Sequence, residues 1–208
     1  MIDIKGTLVS EGAGGVYNER MLGNYRVWDP YRSKLAALWY LDKTTTLDKD
    51  EVVLYLGAAN GTTVSHVADY VESVYAVEFA PRPMEDLLVV AKKRKNIIPI
   101  YADATRPVLY ASLLEPADLL YQDVAQPNQA GIAVKHLPFL KSGGRLILML
   151  KTRSVDIRKS PDEVFADTCA ELTKGGYIVE KSTWLNPYHQ DHAAIICRKE
   201  ESGRKGEL

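Results

Sequence analysis

The residues that first suggest chemistry are a run of small ones. Leu54-Tyr55-Leu56-Gly57-Ala58-Ala59-Asn60-Gly61-Thr62 places two glycines and two alanines directly behind an apolar segment. Small side chains at such a turn let a ligand approach the backbone, and glycine frees φ for a sharp reversal. Acids then follow at intervals. Glu78 comes about 20 residues after Gly57, the separation at which a carboxylate takes a ribose diol. Asp103 follows a later apolar run, where it is placed to accept from an adenine amino group, and Asp123 ends the next. Ligands of α/β sheets gather at the carboxyl ends of strands, so these acids point to a ligand carrying a nucleoside. The turn reads G-x-A-x-G rather than G-x-G-x-x-G and holds nothing basic for a pyrophosphate, which favours S-adenosylmethionine over a nicotinamide dinucleotide. The competing reading is a plain strand–turn–helix with incidental acids.

The surrounding pattern supplies elements to position such a site. Short apolar runs at 52–56, 74–78, 97–101, 119–122 and 146–150 have the character of buried parallel strands. Between them, Val64, Val67, Ala68 and Val71 mark one face of a helix over 62–71. A second helix opens at Pro81 and Pro83 with the face Met84, Leu87, Leu88 and Ala91. Ser160-Pro161-Asp162-Glu163 is a capping box with proline at its first helical position, and its helix runs toward Gly175-Gly176. Segments 177–182 and 193–197 close the sheet with no helix between them, which predicts an antiparallel hairpin. Alternating strands and helices mean a doubly wound, Rossmann-like α/β sheet. The seven-stranded version with an antiparallel ending is a feature of class I methyltransferases rather than of dehydrogenases.

Ahead of this domain, residues 1–31 are rich in Gly and Tyr, with strand-like pieces at Leu8-Val9 and 25–28. Asp29-Pro30 breaks the chain, and Leu35, Leu38, Trp39 and Leu41 predict a helix with Lys34 in its first turn. The expected organisation is a small β-rich extension and linking helix over 1–48, a methyltransferase domain over 49–200, and a charged tail over 201–208 that begins to fray from Lys199.

Bulk properties narrow the setting. A chain of 208 residues can bury a core without staples. Cys169 and Cys197 give neither a disulfide framework nor a zinc spacing and read as core residues, which suits a reducing compartment, the cytoplasm. No metal site is expected, and neither a membrane-length apolar stretch nor a signal-peptide pattern is visible. The net charge of −1 argues against a protein that grips nucleic acid alone. Several conspicuous residues have plain structural readings: Lys92-Lys93-Arg94-Lys95 at a helix C-terminus facing the helix dipole, Tyr17, Trp28 and Tyr31 in packing, and His66 inside a helix.

Longer motifs then carry a resemblance. Tyr25-Arg26-Val27-Trp28-Asp29-Pro30-Tyr31-Arg32-Ser33-Lys34-Leu35-Ala36-Ala37, the run from Tyr55 to Val67, Tyr75-Ala76-Val77-Glu78-Phe79, Ala102-Asp103-Ala104, Asp123-Val124-Ala125-Gln126-Pro127 and Asp191-His192-Ala193 resemble the fibrillarin family over roughly residues 5–199. The resemblance implies S-adenosylmethionine-dependent methylation of ribose 2′-hydroxyls in ribosomal or transfer RNA. The family works inside a box C/D ribonucleoprotein, with a guide RNA, a coiled-coil scaffold protein bearing a Nop domain, and a kink-turn-binding protein of ribosomal type. Lacking a Gly/Arg-rich leader, the chain is similar to the archaeal form. The family's catalytic tetrad matches Lys34, Asp123, Lys151 and His192. Its cofactor contacts match Tyr17, Gly57, Ala58, Ala59, Gly61, Thr62, Thr63, Glu78, Phe79, Asp103, Ala104, Asp123 and Gln126. His189 lies near His192 at a position that the motif does not fix. One position departs: Asn18 stands where the family usually has glycine.

The chemistry suits such a set. A ribose hydroxyl is a poor nucleophile, so losing its proton during an in-line methyl displacement helps. A neutral lysine can accept that proton if burial or a neighbouring cation disfavours its charge, and two lysines in one site provide that neighbour. Lys151 directly follows the run 146–150 and is the expected acceptor, or the group that orients the hydroxyl. Asp123 then positions the ammonium and hydroxyl, while Lys34 and His192 steer ribose and phosphate. Two other functions compete: a guide-independent methyltransferase acting on a protein glutamine or a small molecule, and a catalytically idle assembly subunit.

Overall fold

The structure is a computed structural model that describes residues 1–12 and 14–201. Its elements are β1 (Ile2–Ile4), β2 (Thr7–Glu11), β3 (Met21–Leu22), β4 (Tyr25–Val27), α1 (Lys34–Leu41), β5 (Val52–Leu56), α2 (Thr62–Val67), β6 (Ser73–Glu78), α3 (Pro81–Lys93), β7 (Ile97–Tyr101), β8 (Ala117–Gln122), α4 (Gln129–His136), β9 (Leu140–Lys151), α5 (Thr152–Val155), α6 (Pro161–Lys174), β10 (Tyr177–Trp184) and β11 (His192–Lys199). Seven strands make one sheet in the order β10-β11-β9-β8-β5-β6-β7. The five strands β5 to β9 are parallel, and β11 runs antiparallel between β9 and β10. This is the class I methyltransferase arrangement, and β5 is buried at every position, as a central parallel strand must be.

The reversal of β11 matters for function. In an antiparallel strand the first residue lies where its parallel neighbours end, so His192 pairs with Lys151, the last residue of β9. The capping box at Ser160 forms as its residues predict: the hydroxyl caps the Glu163 amide, and the Glu163 carboxylate returns to the Ser160 amide.

The first strands form a separate four-stranded sheet, β1-β2-β4-β3. One core runs from it into the main domain: Leu8 and Trp28 pack with Leu35, Leu38 and Trp39 of α1 and with Val53, Tyr55 and Val64. A buried charged cluster reinforces the junction. Arg26, 1% exposed, pairs with Glu19 and with Asp69 at 2.6 Å, and donates to the Ser65 hydroxyl at 2.8 Å. Glu19 in turn accepts from the Val16 and Tyr17 amides, which orders the loop before β3.

Four expectations need correction. Helix α2 stops at Val67 rather than running to residue 71: the Asp69 and Tyr70 amides bond back only three residues, to His66 (3.1 Å) and Val67 (2.9 Å), Arg26 takes the Ser65 carbonyl, and the Asn96 side chain holds the carbonyls of Ala68 (2.8 Å) and Val71 (3.1 Å) in the turn that follows. Ala68 and Val71 stay buried, so the apolar pattern persists through a turn. In α3 the buried face is Met84, Leu87 and Val90, and Leu88 is exposed. Arg94 does not join its lysine neighbours at the helix end; it is buried, bonding Asp69 and the Gly14 carbonyl. Lys199 belongs to β11, pairs with Tyr177 and donates to the Leu140 carbonyl, so it does not fray. Of the expected 201–208 tail, residues 202–208 lie outside the described residues.

Candidate active site

The glycine turn joins β5 to α2 at the carboxyl edge of the sheet. Gly57 has φ +80°, and a Cβ there would drive into the carbonyl oxygen of Asp123, so the turn and the end of β8 touch backbone to backbone. The amides of Gly57 and Ala58 both donate to the Val77 carbonyl at 3.0 Å, pinning the turn to the end of β6. Gly61, φ +84°, starts α2 against Leu87 and Val90 of α3. Glu78 fixes the other side: one oxygen accepts from the Phe79 and Ala80 amides (2.9 and 2.8 Å), the other from the Ala59 amide at 2.8 Å.

These elements surround a cleft of about 460 Å³. Of the expected cofactor residues, Gly57, Ala59, Glu78, Phe79, Ala104, Asp123 and Gln126 line it. Val77, Ala102, Val124, Ala125 and Pro127 line it too, although sequence reasoning did not single them out. Their apolar or small character was legible, but only the fold brings three strand ends together.

The remaining expected contacts stand back from the cleft wall. Ala58 is buried beneath the turn, and Gly61 packs on α3. Thr62 bonds the Asn60 side chain at 3.1 Å. Thr63 donates to Ser33 at 3.0 Å, and Asp103 accepts from the Thr105 amide at 2.8 Å. Tyr17 reaches across to hydrogen-bond the Asn60 carbonyl, so the N-terminal loop closes over the glycine turn. Asn18, beside it, has φ +54°. Asparagine tolerates the left-handed region better than other residues with a side chain, so it can take the conformation that glycine adopts freely.

The four residues expected to form the tetrad come from four different places. Ser33 caps α1 by accepting from the Ala36 amide, and Lys34 follows as the first helical residue. Its ammonium bonds both oxygens of Asp123, at 2.7 and 2.9 Å. Lys151 and His192 face each other across β9 and β11. The charges of Lys34 and Asp123 both act on the His192 ring, so these three groups lie near one another. Burial, with the positive charge of Lys34 adding to it, lowers the His192 pKa below the ordinary histidine value. Its Nδ1 donates to the Gln190 carbonyl at 2.6 Å, which leaves Nε2 of the neutral ring as an acceptor.

His189 joins this cluster. Its ring lies 6.0 Å from that of His192, its Nε2 donates to the Pro30 carbonyl at 2.8 Å, and burial lowers its pKa as well. His66 is structural, stacked 4.9 Å from Trp28 and bonded to Ser10. Trp28 is buried, whereas Tyr31 is exposed and meets the Tyr188 ring edge-on.

Comparison with known proteins agrees with this geometry. The sequence model of the family described as Fibrillarin matches residues 7–201. The chain is 64% identical over 194 residues to a fibrillarin-like rRNA/tRNA 2′-O-methyltransferase of Methanoculleus marisnigri, covering 93% of this chain and 96% of that one. Among solved structures it resembles the fibrillarin of a fibrillarin/Nop5p complex, at 42% identity and a TM-score of 0.88, covering 93% of this chain and 94% of that one. It also resembles Aeropyrum pernix fibrillarin with natively bound S-adenosyl-L-methionine, at 40% identity and a TM-score of 0.82, covering 92% and 88%. The chain belongs to the fibrillarin family.

Proposed function

We propose that this chain methylates ribose 2′-hydroxyls in ribosomal and transfer RNA, using S-adenosylmethionine, at nucleotides chosen by a box C/D guide RNA. One observation carries the reading: Asp123 lines the cleft and also holds the Lys34 ammonium. The nucleoside-sized cleft and the amine–carboxylate–imidazole cluster therefore share a wall.

The cleft fits the cofactor. Its volume of about 460 Å³ lies within the range of small-molecule sites. Val77, Ala102, Ala104 and Val124 offer apolar walls for a purine face, and exposed Phe79 adds an aromatic ring to the lining. The Glu78 carboxylate takes three backbone amides, which leaves acceptor capacity for a ribose hydroxyl. When bound, S-adenosylmethionine supplies an electrophilic methyl on a sulfonium.

The protein's own groups then act on the nucleophile. Asp123, fixed by Lys34, orients the incoming hydroxyl. Lys151 takes its proton or holds it in line. Neutral His192 offers Nε2 as a hydrogen-bond acceptor to the ribose, and Lys34 offsets phosphate charge. Positioning of this kind supplies a large share of the rate.

A net charge of −1 leaves little affinity for RNA by electrostatics alone. The proposed assembly resolves this: a Nop-domain scaffold, as in the fibrillarin/Nop5p complex, and a kink-turn-binding protein hold the guide and its target in the archaeal cytoplasm. Among the described residues no helix is long and apolar enough to cross a membrane.

The test is a methyl-transfer assay with labelled cofactor in the reconstituted complex. Label should enter substrate RNA bearing a 2′-hydroxyl at the guided nucleotide and be absent from RNA with a 2′-deoxy there. Equal labelling of both, or labelling that survives nuclease treatment, would refute the reading.

A further inference from the structure

The end of β9 poses a hydrogen-bonding problem. Strand β8 pairs with β9 only as far as Gln122 opposite Leu148, yet β9 continues to Lys151. Lys151 lies opposite His192 in the register with β11, but its own N–H and C=O point away from β11 to the β8 side, where the neighbouring strand has already ended. Buried backbone groups need partners, and here a side chain supplies them. The Gln129 amide accepts from the Lys151 N–H at 3.1 Å and donates to the Lys151 carbonyl at 3.1 Å. It substitutes for one peptide unit of a missing strand.

Gln129 is itself anchored. It is 1% exposed at the start of α4, just behind the Asn128 cap. Its carbonyl accepts from the Gln122 side chain at 2.7 Å, and Gln122 is fully buried. That bond closes a loop whose residues Asp123 to Pro127 form one wall of the cleft. The same short segment thus touches the cofactor cleft at one end and grips the Lys151 backbone at the other.

We infer that Gln129 is a positioning residue, clamping the Lys151 main chain so that the lysine is held in a fixed relation to the Asp123–Pro127 wall. The inference rests on the proposed role of Lys151. No contact of Gln129 with substrate or cofactor is implied, and Gln122 serves only to hold Gln129.

Gln129→Met keeps length and flexibility but can form neither bond. In the reconstituted complex, kcat should fall about 10- to 100-fold, as expected for a small misplacement of a reacting group. The Kd for S-adenosylhomocysteine should stay within about twofold, because no bond to the cleft is lost. Gln129→Glu keeps the acceptor half of the clamp and should fall between wild type and Gln129→Met. In a Lys151→Ala background, Gln129→Met should cost nothing further, since a residue acting only through Lys151 has nothing left to position. Independently of activity, the Lys151 amide should exchange its hydrogen faster in the variant, while the amide of Met149 should not.

Wild-type kcat in Gln129→Met would overturn the inference. So would an additive loss in the Lys151→Ala background, or a cofactor affinity that falls in step with kcat. If Gln129→Met does not fold, Gln129→Glu decides alone through kcat, because it keeps the bond to the Lys151 N–H and loses only the one to the carbonyl; a wild-type kcat in that variant overturns the clamp. Full activity of Lys151→Ala would instead remove the role proposed for Lys151, while the exchange measurement would still report on the clamp.

Discussion

Asp123 is the residue on which cleft and cluster meet. Asp123→Asn keeps the shape but removes the anion that holds Lys34. The pair is partly exposed, with side chains 20% and 24% accessible, so the stability change should stay within about 1 kcal/mol. Methyl transfer should drop by about 100-fold or more, the scale of a misaligned proton-transfer group. Urea denaturation and single-turnover assays of one preparation separate the two effects. Gly57 makes the opposite case, a residue with no side chain to contribute. Gly57→Ala meets both a left-handed φ and the Asp123 carbonyl. Strain of this kind costs on the order of 1–3 kcal/mol. The variant should melt earlier and bind S-adenosylhomocysteine more weakly, by calorimetry. An unchanged melting temperature would mean that the turn and β8 are not in contact.

Between elements, the buried charge cluster is the least replaceable joint. Arg26 alone ties β4 to Glu19, Asp69 and Ser65. Arg26→Ala leaves two buried carboxylates with one fewer cation and should cost about 3–5 kcal/mol by urea denaturation. It should also free the loop holding Tyr17, so protease cleavage near residues 12–18 should accelerate. Much of the element pattern was legible from sequence. The buried run of β5 and the capping box of α6 each declare themselves locally. Helix α4 did not, because its buried residues include Gln129 and His136, which read as surface polar groups until the fold supplies their partners. The early end of α2 was equally hidden, since the groups that take its carbonyls and those of the next turn, Arg26 and Asn96, lie far away in sequence. The tetrad was legible only as family motifs. Nothing local in Lys34 or Lys151 marks either as more than a helix or strand-end lysine, since an ion pair across 89 positions has no periodicity.

At the scale of the whole molecule, two interior histidines tie stability to pH. Burial, with Arg26 adding to it, lowers His66 to about 2; burial lowers His136 to about 4. In the unfolded chain both titrate near 6.5. A folded-state pKa below the unfolded one means that the unfolded chain binds more protons as the solution is acidified. The stabilisation is therefore complete above about pH 6.5 and is lost as pH falls toward 4 for His136, and further for His66. At pH 4 the loss from His136 alone is on the order of 3 kcal/mol. Melting temperatures recorded from pH 8 to pH 4 should be flat at first and then decline below about 6.5; a flat profile down to pH 4 would show that neither ring is held neutral.

The placement of β11 between β9 and β10 bears on how the chain is made. Of the seven strands in the main sheet it is the last to leave the ribosome, yet it takes an interior position. A nascent chain stalled before His192 exposes two unsatisfied strand edges, a hazard for self-association. It also lacks the imidazole that sits opposite Lys151. Insertion of this strand completes the sheet and brings His192 opposite Lys151 in a single event, so a chain that stops short of β11 lacks the proposed cluster.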